Sequence, residues 1–361
     1  MRWDNLKIEA EEGARLPGYR DAATVRRFDA PEALDMRFYE IHAKSALNRV
    51  PKASQMPFRW TINPYRGCSH ACVYCFARPT HTYLDFDAGR DFEREIVVKV
   101  NVPEVLRAEL RRPSWKGEHI AMGTNTDPYQ WVEGRYRLMP GIWEALRDAR
   151  NPCSVLTKSP LLLRDLALLQ QIAEVTDISA NLSIPTIDEK AWRATEPHTP
   201  NPRARLEAVA ELNRNGISTG ILVAPLMPGI NDDPKQLEEI ITTAIDAGAT
   251  SIGGIGLHLR GEVRGVFMEW LRAYRPDLVE HYERLYARGA YLPQPERDRL
   301  GRLLRNAGAR AARPFRRDPA DERPFARTFR RQMGPRQRPA DDGTAHRRRP
   351  DPPDAVQEAL F

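Results

Sequence analysis

Cysteine is scarce: the chain has four in 361 residues. Four are too few for a disulfide-stapled scaffold. No secretory signal opens the chain at Met1-Arg-Trp-Asp-Asn5, so the expected setting is the reducing cytoplasm, where free thiolates persist. Long apolar runs are missing too. The longest uncharged one, residues 217–230, is broken by Gly220, Pro225, Pro228 and Gly229 and falls short of the roughly 20 residues that a membrane helix needs. No membrane partner is expected. No internal repeat stands out, and residues 310–361 contain no lysine. What remains is 41% apolar, enough for a sizeable core in a length that permits one to three domains.

The net charge of +6 is unevenly placed: residues 310–361 hold 13 Arg, eight acids and eight Pro, which leaves 42 basic against 41 acidic residues elsewhere. A segment so poor in branched aliphatics cannot bury enough apolar surface to offset its ordering entropy. Residues 310–361 are therefore expected to be disordered, their arginines either contacting DNA or RNA phosphates or simply solvated. The run Gln357-Glu-Ala-Leu-Phe361 resembles the Gln-x-x-Leu-Phe peptide with which bacterial repair and replication proteins bind the DNA sliding clamp. Glu358 replaces the usual Leu, and a chance match in so short a pattern is the alternative.

Upstream, short apolar runs alternate with amphipathic ones. Strands are expected at 59–63, 119–123, 154–157, 177–183, 219–224 and 251–256. Helices are expected at 102–111, 140–149, 161–173, 202–215 and 234–247. Pro202 and Pro234 sit where a first-turn proline is tolerated, each after an Asn or Asp suited to capping. Asn215-Gly216 and Ala247-Gly248 suit left-handed helix ends. Six strands separated by helices indicate an α/β fold with a parallel sheet of βα units. In barrels of this kind functional groups gather at the carboxyl ends of strands. Residues 1–57 read as an irregular N-terminal extension, 58–309 as the core with a helical C-terminal extension.

Three of the four cysteines, Cys68, Cys72 and Cys75, fall within eight residues, in Asn63-Pro-Tyr-Arg-Gly-Cys-Ser-His-Ala-Cys-Val-Tyr-Cys-Phe-Ala-Arg78. Three is an unusual number. A structural zinc site is closed by four ligands and an ordinary four-iron cluster takes four cysteines. A Cys3His zinc knob using His70 is one reading, although zinc modules usually present two separated ligand pairs. The other is a cubane with one iron left open for a substrate or cofactor. Further polar clusters follow the later strands: Gly123-Thr-Asn-Thr-Asp-Pro-Tyr-Gln130 with Glu133, Thr157-Lys-Ser-Pro160, the run from Glu196 to Leu206, and Val223-Ala-Pro-Leu-Met-Pro-Gly-Ile-Asn-Asp232. Read by themselves, the Asn-Thr-Asp-Pro segment is equally a turn and Thr-Lys-Ser-Pro equally a strand exit.

The Cys-x3-Cys-x2-Cys loop, with Tyr74 before its last cysteine, resembles the signature of the radical S-adenosylmethionine (SAM) superfamily. From residue 63 to 232 the chain is most similar to the spore photoproduct lyase-like branch. The resemblance implies a partial (β/α)6 TIM-type barrel and a [4Fe–4S] cluster on Cys68, Cys72 and Cys75. It implies SAM chelated at the open iron and cleaved reductively to a 5'-deoxyadenosyl radical, with an electron donor of flavodoxin or ferredoxin type. It places Tyr74 and Ala224 against the adenosyl group, a polar group among Thr124, Asn125 and Thr126 near the amino group, Lys158 facing the carboxylate, and Ser183 facing the ribose. No catalytic residue follows from it.

Two departures bear on the substrate. The lyase carries a hydrogen-donating cysteine just after strand two, where this chain has Thr124. It also carries a tyrosine after the third cluster cysteine, where this chain has Phe76. The remaining thiol, Cys153, precedes strand three and reads as a small core residue. The radical generator is expected to be present and the relay for the thymine spore lesion absent. The leading expectation is a radical SAM enzyme of unassigned substrate, with nucleic acid favoured by the basic tail. The alternative is a non-catalytic, zinc- or cluster-stabilised nucleic-acid-binding module.

Overall fold

The computed structural model describes residues 8–18, 22–31, 33, 35–51, 54 and 56–311. Its strands are β1 (Ile8–Arg15), β2 (Ala22–Phe28), β3 (Arg37–Ile41), β4 (Leu47–Arg49), β5 (Trp60–Ile62), β6 (Tyr65–Arg66) and β7 (Glu95–Lys99). They continue with β8 (Ile120–Met122), β9 (Cys153–Thr157), β10 (Ile178–Ser183), β11 (Ser218–Leu226) and β12 (Ile252–Gly256). Helices α1 (Arg90–Arg94) and α2 (Val102–Leu110) flank β7, while α3 (Glu133–Tyr136) and α4 (Leu138–Asp148) link β8 to β9. After these come α5 (Leu166–Val175), α6 (Glu189–Thr195), α7 (Pro202–Arg214), α8 (Pro234–Asp246), α9 (Val263–Tyr274), α10 (Val279–Leu285) and α11 (Gln294–Ala311).

One sheet runs β12-β11-β10-β9-β8-β5-β4. All its pairings from β5 to β12 are parallel, and β4 lies antiparallel at the edge. These are the six strands expected from the apolar runs, and with both edges open they form a partial barrel. The helices pack as their periodicity dictates: Leu206, Val209 and Leu212 line the buried stripe of α7, and Leu237, Ile240, Ile241 and Ala244 that of α8. Each of these Leu, Val and Ile side chains contributes roughly 1.5–3 kcal/mol when fully buried. The expected caps are in place. Asn201 accepts the Arg203 N–H at 2.8 Å, and Asp233 accepts those of Lys235 and Gln236 at 3.0 and 2.9 Å. Among the described residues no helix is long and apolar enough to cross a membrane.

The first 57 residues depart from the irregular extension expected of them. Strands β1, β2 and β3 join β7 and β6 in a second sheet of order β1-β2-β3-β7-β6. Its strands are short and carry charges, and one side of it, with Phe28, Phe38, Ile96 and Val98, joins the main core, while the other side is apolar as well. Ala23, Val25, Tyr39, Ile41 and Val97 pack there with Leu16, Leu84 and Phe86 in a core of their own. In β3 and β7 both faces are buried, so apolar residues stand side by side and the period-two signal is thin. Residues 310 and 311 close α11. The rest of the Arg/Pro-rich stretch expected to be disordered, with the sliding-clamp-like run at 357–361, lies outside the described residues.

Lys99 ends β7 buried, and burial, with Arg66 nearby, lowers its ammonium pKa to about 7. The unfolded chain holds that proton up to about pH 10.4. Stability is therefore lost as pH falls through the window from about 10 to about 7 and stays lost below it. Lys99→Met, which keeps the stem and removes the charge, is expected to raise stability near pH 6 by about 2–4 kcal/mol. The gain should shrink toward pH 10 in urea titrations, and equal midpoints near pH 6 would contradict it.

Candidate active site

The cysteine loop leaves β6 at Gly67 (φ +75°) and is tied down on every side. Cys68 N–H donates to the Phe92 carbonyl at 2.9 Å, Ser69 N–H to Gln130 Oε1 at 2.9 Å, and Val73 N–H to the Thr195 carbonyl at 3.1 Å. Gln130 Nε2 returns a bond to the Gly67 carbonyl at 3.1 Å. A fully buried guanidinium does the rest. Arg78 donates to the Cys72 carbonyl at 3.0 and 3.1 Å, to Ala88 at 3.1 Å and to Gly89 at 2.8 Å, and it pairs with Glu93.

Within the loop Arg78 thus holds the Ala71 and Cys72 carbonyls and Gln130 that of Gly67, while the thiols are left for another partner. Burial pushes the Cys68 thiol up to about 12 and raises Cys72 and Cys75 as well. Backbone N–H groups of Asp127 and His70 act in the opposite direction on Cys68, as do those of Ala77 and Arg78 on Cys75. A bound metal reverses the balance, because it deprotonates a coordinating thiol and amide donors then stabilise the sulfur. The donor set fits an iron–sulfur cluster. His70 is buried, and that burial lowers its pKa although Nδ1 lies 3.4 Å from the Asp127 carboxylate. Among the described residues no three His, Cys, Asp or Glu side chains gather as donors to a single ion.

Beside the thiols lies a cavity of about 180 Å³ whose wall is built from successive strand ends. Tyr74 comes from the loop, Gly123 and Asn125 follow β8, Lys158 follows β9, Ser183 ends β10 and Ala224 lies in β11. Lys158 Nζ donates to Ser183 Oγ at 2.6 Å and lies 5.7 Å from the centre of the Tyr74 ring. Ser183 Oγ donates in turn to the Ala224 carbonyl at 3.2 Å. Of the three candidates after β8 only Asn125 reaches the cavity. The Thr126 hydroxyl is buried and donates to the Tyr65 carbonyl at 2.9 Å, and Thr124 is not part of the lining. Glu133, from the same run, points into the core and accepts the first N–H groups of α4, from Leu138 and Met139 at 3.0 and 3.1 Å.

Sequence reasoning missed the pair that organises this wall. Glu196 is fully buried. It accepts from the Tyr74 hydroxyl, lies 3.3 Å from Lys158 Nζ and pairs at 2.8 Å with Arg205, which is itself fully buried. Burial alone would raise the Glu196 carboxyl, but Arg205 and Lys158, with the Tyr74 hydroxyl, hold it at about 2. Arg205 also donates to the Ser183 carbonyl at 2.8 Å. One ion pair therefore touches Tyr74, Lys158 and Ser183 together. At the mouth, the exposed Phe76 ring stands 5.9 Å from His258, which stacks at 5.7 Å on Tyr291. Cys153 is buried at the start of β9, the far end of that strand from Lys158.

The family model of the Radical SAM superfamily matches residues 62–242. An uncharacterized protein of Mycobacterium tuberculosis is 48% identical over 305 residues, 83% of this chain and 89% of its own. The chain belongs to the radical SAM superfamily. A more distant uncharacterized relative, from Methanocaldococcus jannaschii, is 30% identical over 195 residues, 54% of this chain and 69% of its own. Among solved structures, spore photoproduct lyase complexed with dinucleoside spore photoproduct superposes with a TM-score of 0.56 at 14% identity, covering 75% of this chain and 78% of that one. A variant of that lyase with bound AdoMet and the dinucleoside reaches 0.55 at 16% identity, covering 77% and 79%. At such identity the likeness to the lyase is one of fold. The radical SAM assignment makes the chain an enzyme that uses SAM.

Proposed function

We propose that Cys68, Cys72 and Cys75 hold a [4Fe–4S] cluster, that the adjoining cavity takes SAM, and that the substrate presented at its mouth is a nucleic-acid base. The observation that carries the first two parts is the opening of three thiols onto one cavity walled by Tyr74, Lys158, Ser183 and Ala224. Bound there, the cluster and SAM would supply a reductive cleavage that yields a 5'-deoxyadenosyl radical. The chain's own residues do the positioning. Lys158 offers the cavity an ammonium suited to a carboxylate, and Glu196 keeps that ammonium in register. Tyr74 and Ala224 give flat, apolar contact for an adenosyl group, the Ser183 hydroxyl suits a ribose, and Asn125 supplies the polar group for the amino end.

The substrate reading rests on the rim. Phe76, His258 and Tyr291 form a run of rings at the opening, and the Arg260 guanidinium lies 5.2 Å from the centre of the Tyr291 ring. Aromatic faces beside a cation suit a stacked base with its phosphate. Phe76 carries no phenolic hydrogen and Cys153 lies at the far end of β9, so the rim does not suit repair of the spore lesion. The arginine-rich tail and the clamp-like run at 357–361 would bring such an enzyme to DNA in the cytoplasm.

The test is anaerobic reconstitution. About four irons per chain are expected. Replacing any of the three cysteines with Ala should remove the brown chromophore, and reduced protein should release 5'-deoxyadenosine and methionine from SAM. Stoichiometric zinc without iron, bound under the same conditions, would favour a non-catalytic nucleic-acid-binding module instead.

A further inference from the structure

The other side of the cysteine loop carries a second feature that the cavity does not use. Segment 88–94, which includes α1, is fastened to the loop by Arg78 and by the hydrogen bond from Cys68 to the Phe92 carbonyl. Phe92 is fully buried and packs with Cys68 and Cys75. The outward side of α1 borders an open cleft of about 400 Å³ at the start of β3 and β7, none of whose lining residues belongs to the cavity.

Four guanidiniums, from Arg27, Arg37, Arg90 and Arg94, line this cleft against the carboxylates of Asp35, Asp91 and Glu95. Arg37 is engaged with Glu95 at 2.6 Å and Arg94 with Asp35 at 2.7 Å. Asp91 accepts the Asp87 N–H at 3.0 Å. Arg27 and Arg90 are exposed and take part in none of these pairs. Between Asp91 and Arg94, which line the cleft, Phe92 turns inward and its ring packs against Cys68 and Cys75. Unspent arginines on a surface favour encounter with an acidic partner and set its salt dependence.

We propose that this cleft is the docking face for an acidic one-electron carrier protein. The proposal rests on the reading that the three cysteines hold a reducible cluster. The step at this face is transfer of one electron through the Phe92 contact. The carrier's reduced cofactor is oxidised by one electron and the group on the cysteines is reduced by one. No bond forms or breaks, and no proton is exchanged.

The experiment compares cluster-loaded wild type with R27E/R90E, using flavodoxin as the probe. Both positions are exposed, and equal iron content and melting temperature verify that the variant is folded. Flavodoxin is expected to bind wild type with an affinity that falls as salt rises. The variant should bind about tenfold or more weakly. Bleaching of the chromophore by flavodoxin hydroquinone should slow in parallel, while bleaching by dithionite stays equal in the two proteins. Equal flavodoxin binding by both proteins, or no binding by wild type, overturns the docking face. If dithionite fails to bleach even wild type, the cluster reading itself falls, which is a separate outcome.

Discussion

Glu196→Gln is expected to destabilise the protein by about 3–5 kcal/mol and to weaken SAM binding at the same time. The fully buried carboxylate is the anion for two cations, and the Gln amide supplies no charge to either. Arg205 would stay buried and unpaired, facing an amide N–H where it had a carboxylate oxygen. Lys158 would lose the partner 3.3 Å away that holds it between Tyr74 and Ser183. The effect has a pH signature. Because the carboxyl is held at about 2 in the folded chain and near 4.3 in the unfolded one, its stabilisation is complete above about pH 5. It is lost as pH falls toward 2. The gap between wild type and Glu196→Gln in chemical denaturation should therefore be flat from neutral pH to about 5 and narrow below. A double variant, Glu196→Leu with Arg205→Met, should recover part of the stability because no lone charge is left buried. It should not recover SAM affinity. If it recovered both, the pair would have no positioning role.

Gly123→Ala is expected to cost about 3 kcal/mol or more. Gly123 turns the chain out of β8 at φ +74°, and a Cβ there would stand 1.8 Å from the Leu156 carbonyl oxygen of β9. Backbone cannot swing aside as a side chain can, so β8 and β9 would have to part where they frame the cavity. Both thermal stability and SAM affinity should fall. Gly134→Ala is the matched control: it lies in α3 with nothing within 4 Å of its added methyl, and a neutral to slightly stabilising change is expected there. Similar losses in the two variants would remove the special role of Gly123.

The same turn explains part of what the sequence could not convey. Thr124, Asn125 and Thr126 are equivalent as text, and the geometry after Gly123 sends only Asn125 to the cavity. The parallel strands were readable because their apolar runs are bounded by capped helices, so each boundary carried two independent signals. The second sheet was not. Its strands are short and carry charges, and β7, Glu-Ile-Val-Val-Lys, is buried throughout although it begins and ends on an ionic residue. Glu196 and Arg205 lay in a run that attracted notice for its polarity. Nothing in a proline-rich segment indicates that two charges nine positions apart will meet in a dry interior behind Tyr74 and Lys158. The cysteines, Tyr74, Lys158, Ser183 and Ala224 stood out because each sits in a spacing that belongs to a family pattern, at the end of a recognisable strand.

The Arg78 guanidinium has a consequence for the protein's life before and after its cofactor. Small zinc modules gain their shape from the ion and are unfolded without it. Here the loop is shaped by hydrogen bonds to its own carbonyls and by the contacts of Cys68, Ser69 and Val73 with neighbouring segments. The socket is therefore built by the polypeptide. On the reading proposed above, the chain can fold first and take up its cluster afterwards. Were the proposed cluster lost, the same hydrogen bonds would keep the socket shaped, so reconstitution would refill a chain that is already folded.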